Sequence, residues 1–186
     1  MLRVLDLGVT AHRIITNITA PRLDEVALRI TVRTDPFPAL LAFIVRSGQI
    51  RKLTLDKIDL ESTATFLSCM ERMDGLREFH LEEHALSLWL LKEDGLARMT
   101  CLDMHTPTGP PLTDGPASGD RAVEQGHALS RPLLPSLTAI RLRLVKRGEL
   151  WRDSLKKMLL SRRQARVYGT WTVPALKDVE VKIAGC

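Results

Sequence analysis

Residues 50–81 read IRKLTLDKIDLESTATFLSCMERMDGLREFHL, and two periods alternate within them. At either end, apolar residues stand at relative positions 1, 4 and 6: Ile50, Leu53 and Leu55, then Leu76, Phe79 and Leu81. Side chains alternate across a strand, so positions 4 and 6 share one side, and position 1 closes the turn leading in. Between these triplets, Leu60, Ala64, Leu67 and Met70 recur at helical spacing, with Ser62 or Thr63 available as the cap. Strand, helix and strand therefore follow one another within a single short segment.

Working outward, the same triplet occurs seven times: Leu2/Leu5/Leu7, Leu23/Val26/Leu28, Ile50/Leu53/Leu55, Leu76/Phe79/Leu81, Met99/Leu102/Met104, Leu137/Ile140/Leu142 and Leu176/Val179/Val181. Successive starts are 21, 27, 26, 23, 38 and 39 residues apart. Further helical stripes are Phe37, Leu41, Ile44 and Val45, introduced by Pro36 and Pro38, and Trp151, Leu155, Met158 and Leu159 in a helix placed near 149–163. One strand–helix unit cannot bury its apolar face alone, but stacked units form a continuous core. The spacing predicts an α/β leucine-rich-repeat solenoid, with parallel strands lining a concave face and helices on the convex side. Residues 1–186 are read as one such domain. Residues 105–132, with five prolines and four glycines, are a flexible insertion that carries at most a short helix near 121–129. The asparagine or cysteine that usually follows each strand is absent, its places being taken by Thr10, Thr31, Ile58, His84, Pro107, Val145 and Ala184. No polar capping unit is visible at either end, which suggests the repeat portion of a longer protein.

The segments FLSCMERMDGLREFHLEEH, LLPSLTAIRLRL, GELWRDSLKKMLLSRR and PALKDVEVKI resemble the leucine-rich-repeat region of F-box proteins, especially the large fungal sets. The resemblance implies substrate recognition for a ubiquitin ligase. In that family, a separate F-box docks on the Skp-type adaptor of a cullin complex. Residues 1–40 already hold two strand triplets and a proline-marked helix start, so adaptor binding is expected only if an F-box lies outside this chain.

In the predicted solenoid, positions 3, 5 and 7 of each unit face the concave side. The expected protein-binding surface is Lys52, Thr54, Asp56, Glu78, His80, Glu82, Asp103, His105, Arg141 and Arg143, with Arg29, Cys101 and Glu180 on the same face. Its middle reads as acidic, with Arg141 and Arg143 as a basic strip beyond. A mixed polar face suits a protein partner better than a buried small ligand. Charge is uneven along the chain: residues 141–168 hold ten basic residues against Glu149 and Asp153, whereas residues 1–140 carry a net −3. Lys156, Lys157, Arg162, Arg163 and Arg166 form a candidate anion-binding cluster, and a nucleic-acid-binding module over 141–166 is the alternative from another class. With only eight aromatic residues, a base-stacking platform is disfavoured, and nucleic acid is not the expected partner.

The string His80-Leu81-Glu82-Glu83-His84 matches the HxxEH pattern of certain metallopeptidases, which needs a helix to bring both imidazoles to one zinc. Here Phe79 and Leu81 place His80 on a strand, where residues four apart are separated by roughly 13 Å. No phosphate loop, nucleophile elbow or Cys/His dyad is found, so neither catalysis, metal nor cofactor is expected. Three scattered cysteines and the lack of a membrane-spanning or signal-like run suggest a reducing compartment, cytoplasmic or nuclear.

Overall fold

Apolar positions two apart, on strands of matching register, produce one sheet. The computed structural model describes residues 2–8, 11–29, 35–58, 64–83, 91–101, 132–145, 148–168 and 171–184. Six strands form a parallel sheet in the order β1 (Val4–Leu7), β2 (Glu25–Arg29), β3 (Lys52–Asp56), β4 (Glu78–Glu82), β5 (Ala139–Leu144) and β8 (Asp178–Ile183). A separate antiparallel pair, β6 (Arg166–Tyr168) and β7 (Trp171–Val173), which the sequence reading did not anticipate, precedes β8. The register aligns Leu5, Val26, Leu53, Phe79, Ile140 and Val179 in one row, and Leu7, Leu28, Leu55, Leu81, Leu142 and Val181 in the next. From β1 to β5 both rows are buried. Parallel sheets usually bury both faces. Here the alternating pattern buries one and leaves the other polar.

The helices are α1 (Ala11–Ile15), α2 (Phe37–Ser47), α3 (Ala64–Arg72), α4 (Glu93–Met99) and α5 (Glu149–Ser161). Their apolar residues join the strand rows in a single cluster, in which Phe66 stands between Phe37 and Phe79 at ring-centroid distances of 5.2 and 6.3 Å. Each side chain of this size stabilises the fold by about 1.5–3 kcal/mol when fully buried. In α2 the buried stripe is Phe37, Leu40, Phe43 and Ile44, whereas Val45, expected in the core, is 71% exposed. The helix begins at Phe37, whose N–H donates to Asp35 Oδ1 at 2.9 Å, and Val45 falls on the flank away from Leu40 and Phe43. In α3 the buried residues include Phe66, Cys69 and Met70, with Leu67 only partly covered; Leu60, Ser62 and Thr63 lie outside the described residues. In α5 Trp151, Leu155 and Met158 are buried as the period requires.

The fifth predicted strand does not stand between β4 and β5. Met99 ends α4, and β4 pairs directly with β5, Phe79 against Ile140 and Leu81 against Leu142, so nothing lies between them. Glu93 and Asp94 in the first turn and Leu96 and Met99 on one face favour the helix over 93–99. Leu102 and Met104, the predicted insertion except Pro132, and the short helix near 121–129 lie outside the described residues.

Several turns on the way into strands are held from the ends of helices. Arg46, near the end of α2, donates from Nη2 to the carbonyls of Ile15 and Thr16 at 3.0 Å, and Ser47 Oγ accepts from Ala20 N at 3.0 Å. At the end of α5, Ser161 Oγ accepts from Cys101 N at 3.1 Å, and Arg162 Nη2 donates to Leu137 O at 3.0 Å and Leu134 O at 3.3 Å. Arg162 is only 1% exposed, which overturns its assignment to the anion-binding cluster. Its Nε and Nη1 have no hydrogen-bond partner among the described residues, and burial lowers its pKa from the usual arginine value.

Arg162→Ala should cost about 2–4 kcal/mol in urea-induced unfolding, because two buried carbonyls lose their donor and a cavity opens. The exposed Arg163→Ala should stay within about 0.5 kcal/mol of the parent. Equal effects of the two substitutions would contradict the structural role of Arg162.

Candidate functional site on the open sheet face

The residues between the buried rows all project from the other side of the sheet. Three cross-strand rows result. The first runs Glu25, Lys52, Glu78, Ala139, Asp178; the second Ala27, Thr54, His80, Arg141, Glu180; the third Arg29, Asp56, Glu82, Arg143, Lys182. Eight of the ten expected binding residues, Lys52, Thr54, Asp56, Glu78, His80, Glu82, Arg141 and Arg143, thus share this face. Asp103 and His105 lie outside the described residues. Cys101, expected on the same face, is instead buried beyond α4, and burial raises its thiol pKa. Cys69 is buried too, its thiol pushed up to about 12 by desolvation and by Asp35, which leaves it a packing residue.

The expected division into an acidic middle and a basic strip does not hold. Parallel pairing sets opposite charges side by side. Lys52 meets Glu25 at 2.8 Å, Arg143 meets Glu82 at 3.2 Å, and Arg141 meets Asp178 at 2.9 Å and Glu180 at 3.9 Å. Arg29 bridges Asp6 at 2.9 Å and Asp56 at 3.6 Å. The guanidinium pKa values of Arg29 and Arg141 are raised, chiefly by their hydrogen bonds to Asp6 and Asp178, and the Glu180 carboxyl is lowered by Lys182. Such exposed pairs add little to stability, and their main effect is to hold long side chains in place.

Within this lattice lies a cleft of about 200 Å³, bordered by Arg29, Asp56, His80, Glu82, Arg141 and Glu180. Asp56 Oδ1 and His80 Nε2 are buried there, and neither has a hydrogen-bond partner among the described residues. Burial, followed by Arg141 and Lys52, lowers the His80 pKa from its ordinary 6.5, partly offset by Glu78 and Glu25. This favours the neutral imidazole. Strand β4 keeps His80 off any helix, and His84 lies outside the described residues, so the HxxEH reading gains no geometry. Among the described residues, no three His, Cys, Asp or Glu side chains converge to hold a metal.

The proposed basic cluster is dispersed. Lys156 and Lys157 are exposed on α5, Arg163 is exposed just beyond it, Arg166 begins β6, and Arg162 is internal. Missed by the sequence reading is a second concentration of arginines, Arg3, Arg22, Arg51 and Arg77, at the amino ends of the strands. The available signal was arginine at relative position 2 in three of the first four triplets. No described helix is long and apolar enough to cross a membrane. Comparison with protein-family models, curated proteins and solved structures found no match to the chain.

The His80 imidazole should titrate below 6.5 when followed by NMR. The unfolded chain then takes up this proton before the folded one. The corresponding stability is fully present above about pH 6.5 and is lost as pH falls toward the lower folded value. In His80→Gln, that part of the pH dependence of the urea midpoint should disappear. A His80 pKa at or above 6.5 would contradict the desolvated, arginine-flanked environment.

Proposed function

We propose that the open sheet face recognises a protein partner without catalysing a reaction. The observation that carries this reading is the pair of buried atoms, Asp56 Oδ1 and His80 Nε2, left unpartnered beneath a lattice of otherwise paired charges. Buried polar groups are normally satisfied. A backbone N–H or side-chain donor of a partner would satisfy Asp56, and the surrounding ion pairs would hold the rim without large rearrangement. Such a surface also fits the finer fold reading, an α/β leucine-rich-repeat solenoid whose concave side is this face. By its resemblance to the repeat region of F-box proteins, the chain would then act in ubiquitin-ligase substrate recognition in the cytoplasm or nucleus. A Skp-type adaptor would take part only through an F-box outside these residues.

A free-standing repeat scaffold or inhibitor with no ligase link is the second reading, and it uses the same face. The nucleic-acid reading over 141–166 is weakened by the interior position of Arg162. Purification of the tagged chain from its own cells, with and without nuclease, separates the three. Recovery of an adaptor and a cullin supports the ligase reading, one nuclease-resistant protein partner supports the scaffold, and loss of every partner after nuclease sinks both.

With the captured partner in hand, Asp56→Ala and Glu78→Lys should each weaken binding about tenfold, the scale of one charge-assisted contact. Glu78 is exposed, so its reversal should leave stability within about 0.5 kcal/mol. Unchanged affinity in both variants would remove this face from the interface.

A further inference from the structure

The amino ends of the strands form a second polar surface. The residue just before each strand has its carbonyl locked by two N–H donors from the next strand's start. Arg3 O accepts from Asp24 N at 2.9 Å and Glu25 N at 3.1 Å, Asp24 O from Arg51 N at 2.9 Å and Lys52 N at 3.0 Å, and Arg51 O from Arg77 N at 2.7 Å and Glu78 N at 3.0 Å. Arg3, Asp24, Arg51 and Arg77 therefore stand in one row, at the strand spacing of about 4.8 Å. Two residues earlier in each turn, Arg22, Gln49, Gly75 and Ser136 make a parallel row. The two rows border an open cleft of about 670 Å³, lined mainly by polar atoms. A Cβ at Gly75 would run into the Gln49 amide, so the glycine is what lets that side chain lie across the cleft floor.

The charge here is unbalanced, unlike that of the open face. Four guanidinium groups and one carboxylate line the cleft, and Asp24 pairs with Arg51 at 3.6 Å. Arg3 and Arg77 have no carboxylate within ion-pair distance among the described residues. Like charges on adjacent strands, as at Arg51 and Arg77, repel. Every other side chain with a polar head in the lining, Gln49 and Ser136, can donate a hydrogen bond. Planar guanidinium forks are suited to a compact, doubly charged oxyanion.

We propose that this cleft is a binding site for a phosphate-monoester dianion, held by Arg51 and Arg77 with Arg3 at its side. It shares no lining residue with the open-face cleft and stands independently of the reading above. The phosphate could belong to a phosphorylated side chain of another protein or to a small phosphate ester, and the chemistry recognised is the same.

The test is an NMR titration of the full chain, following arginine Nε–H signals, with inorganic phosphate, a blocked phosphoserine tripeptide and a single-stranded oligodeoxynucleotide. Saturable shifts confined to this cleft are expected with the first two probes, and Arg51→Gln and Arg77→Gln should each weaken them about tenfold. Both side chains are exposed, so the thermal midpoint should not move; Arg3→Gln, at the sheet edge, serves should either variant unfold. Tighter binding of the tripeptide than of phosphate supports a phosphorylated side chain as the source, and equal binding supports a small ester. No saturation by about 10 mM phosphate, shifts indifferent to the substitutions, or preferential binding of the oligonucleotide would each overturn the proposal.

Discussion

The whole arrangement depends on keeping two apolar rows in register across adjacent parallel strands. Leu5 to Ile140 and Leu7 to Leu142 are the residues that bury the sheet, and the helices pack on these rows and on one another. A slip of one residue in any strand would turn its apolar pair to solvent and its charges to the core. Register is therefore enforced by burial, and the carbonyls of Arg3, Asp24, Arg51, Arg77 and Thr138 reinforce it, each accepting two N–H groups from the next strand's start. At β8 the enforcement weakens. Val179 is 46% exposed, and with Leu155, Leu159, Leu160 and Ile183 it borders an apolar groove on the last strand.

The same register that buries one side composes the other. Position 3 brings Lys52 beside Glu25, and position 7 brings Arg143 beside Glu82. The open face is thereby an ordered lattice of paired charges with a small cleft left unsatisfied at Asp56 and His80. One position earlier, Arg3, Asp24, Arg51 and Arg77 form a row in which one acid stands among three arginines. Two polar surfaces of different character thus arise from neighbouring positions of one pattern.

Six of the seven strand triplets and the α5 stripe were directly legible, because a strand needs only its own alternation to be recognised. Leu53 and Leu55, Phe79 and Leu81, and Ile140 and Leu142 lie where the pattern places them, as do Trp151, Leu155 and Met158 of α5. The triplet at Met99 was expected to place a strand beside β4, a position that β5 takes instead; Leu102 and Met104 lie outside the described residues. Val45 misled because Phe37 and Ile44 alone fit either flank of the helix, and Leu40 and Phe43 place the buried side on the flank away from Val45. For the site, which side chains share the open face followed from the period of two. Their pairing did not, because it depends on which strands are neighbours, and the direct contact of β4 with β5 was hidden by the long stretch between them. Arg162 read as surface because charge runs usually are; its two carbonyl partners come from a turn 25 and 28 residues away.

The most direct test of this account asks which segment lies beside β4. Glu78 is in register with Ala139, whereas a strand built on the Met99 triplet would set Cys101 there instead. The double variant Glu78→Cys with Ala139→Cys, oxidised mildly in the folded state and mapped by mass spectrometry, distinguishes the two. A disulfide joining positions 78 and 139 is predicted. One joining position 78 to Cys101 would contradict the direct pairing of β4 with β5 and the six-stranded register built on it.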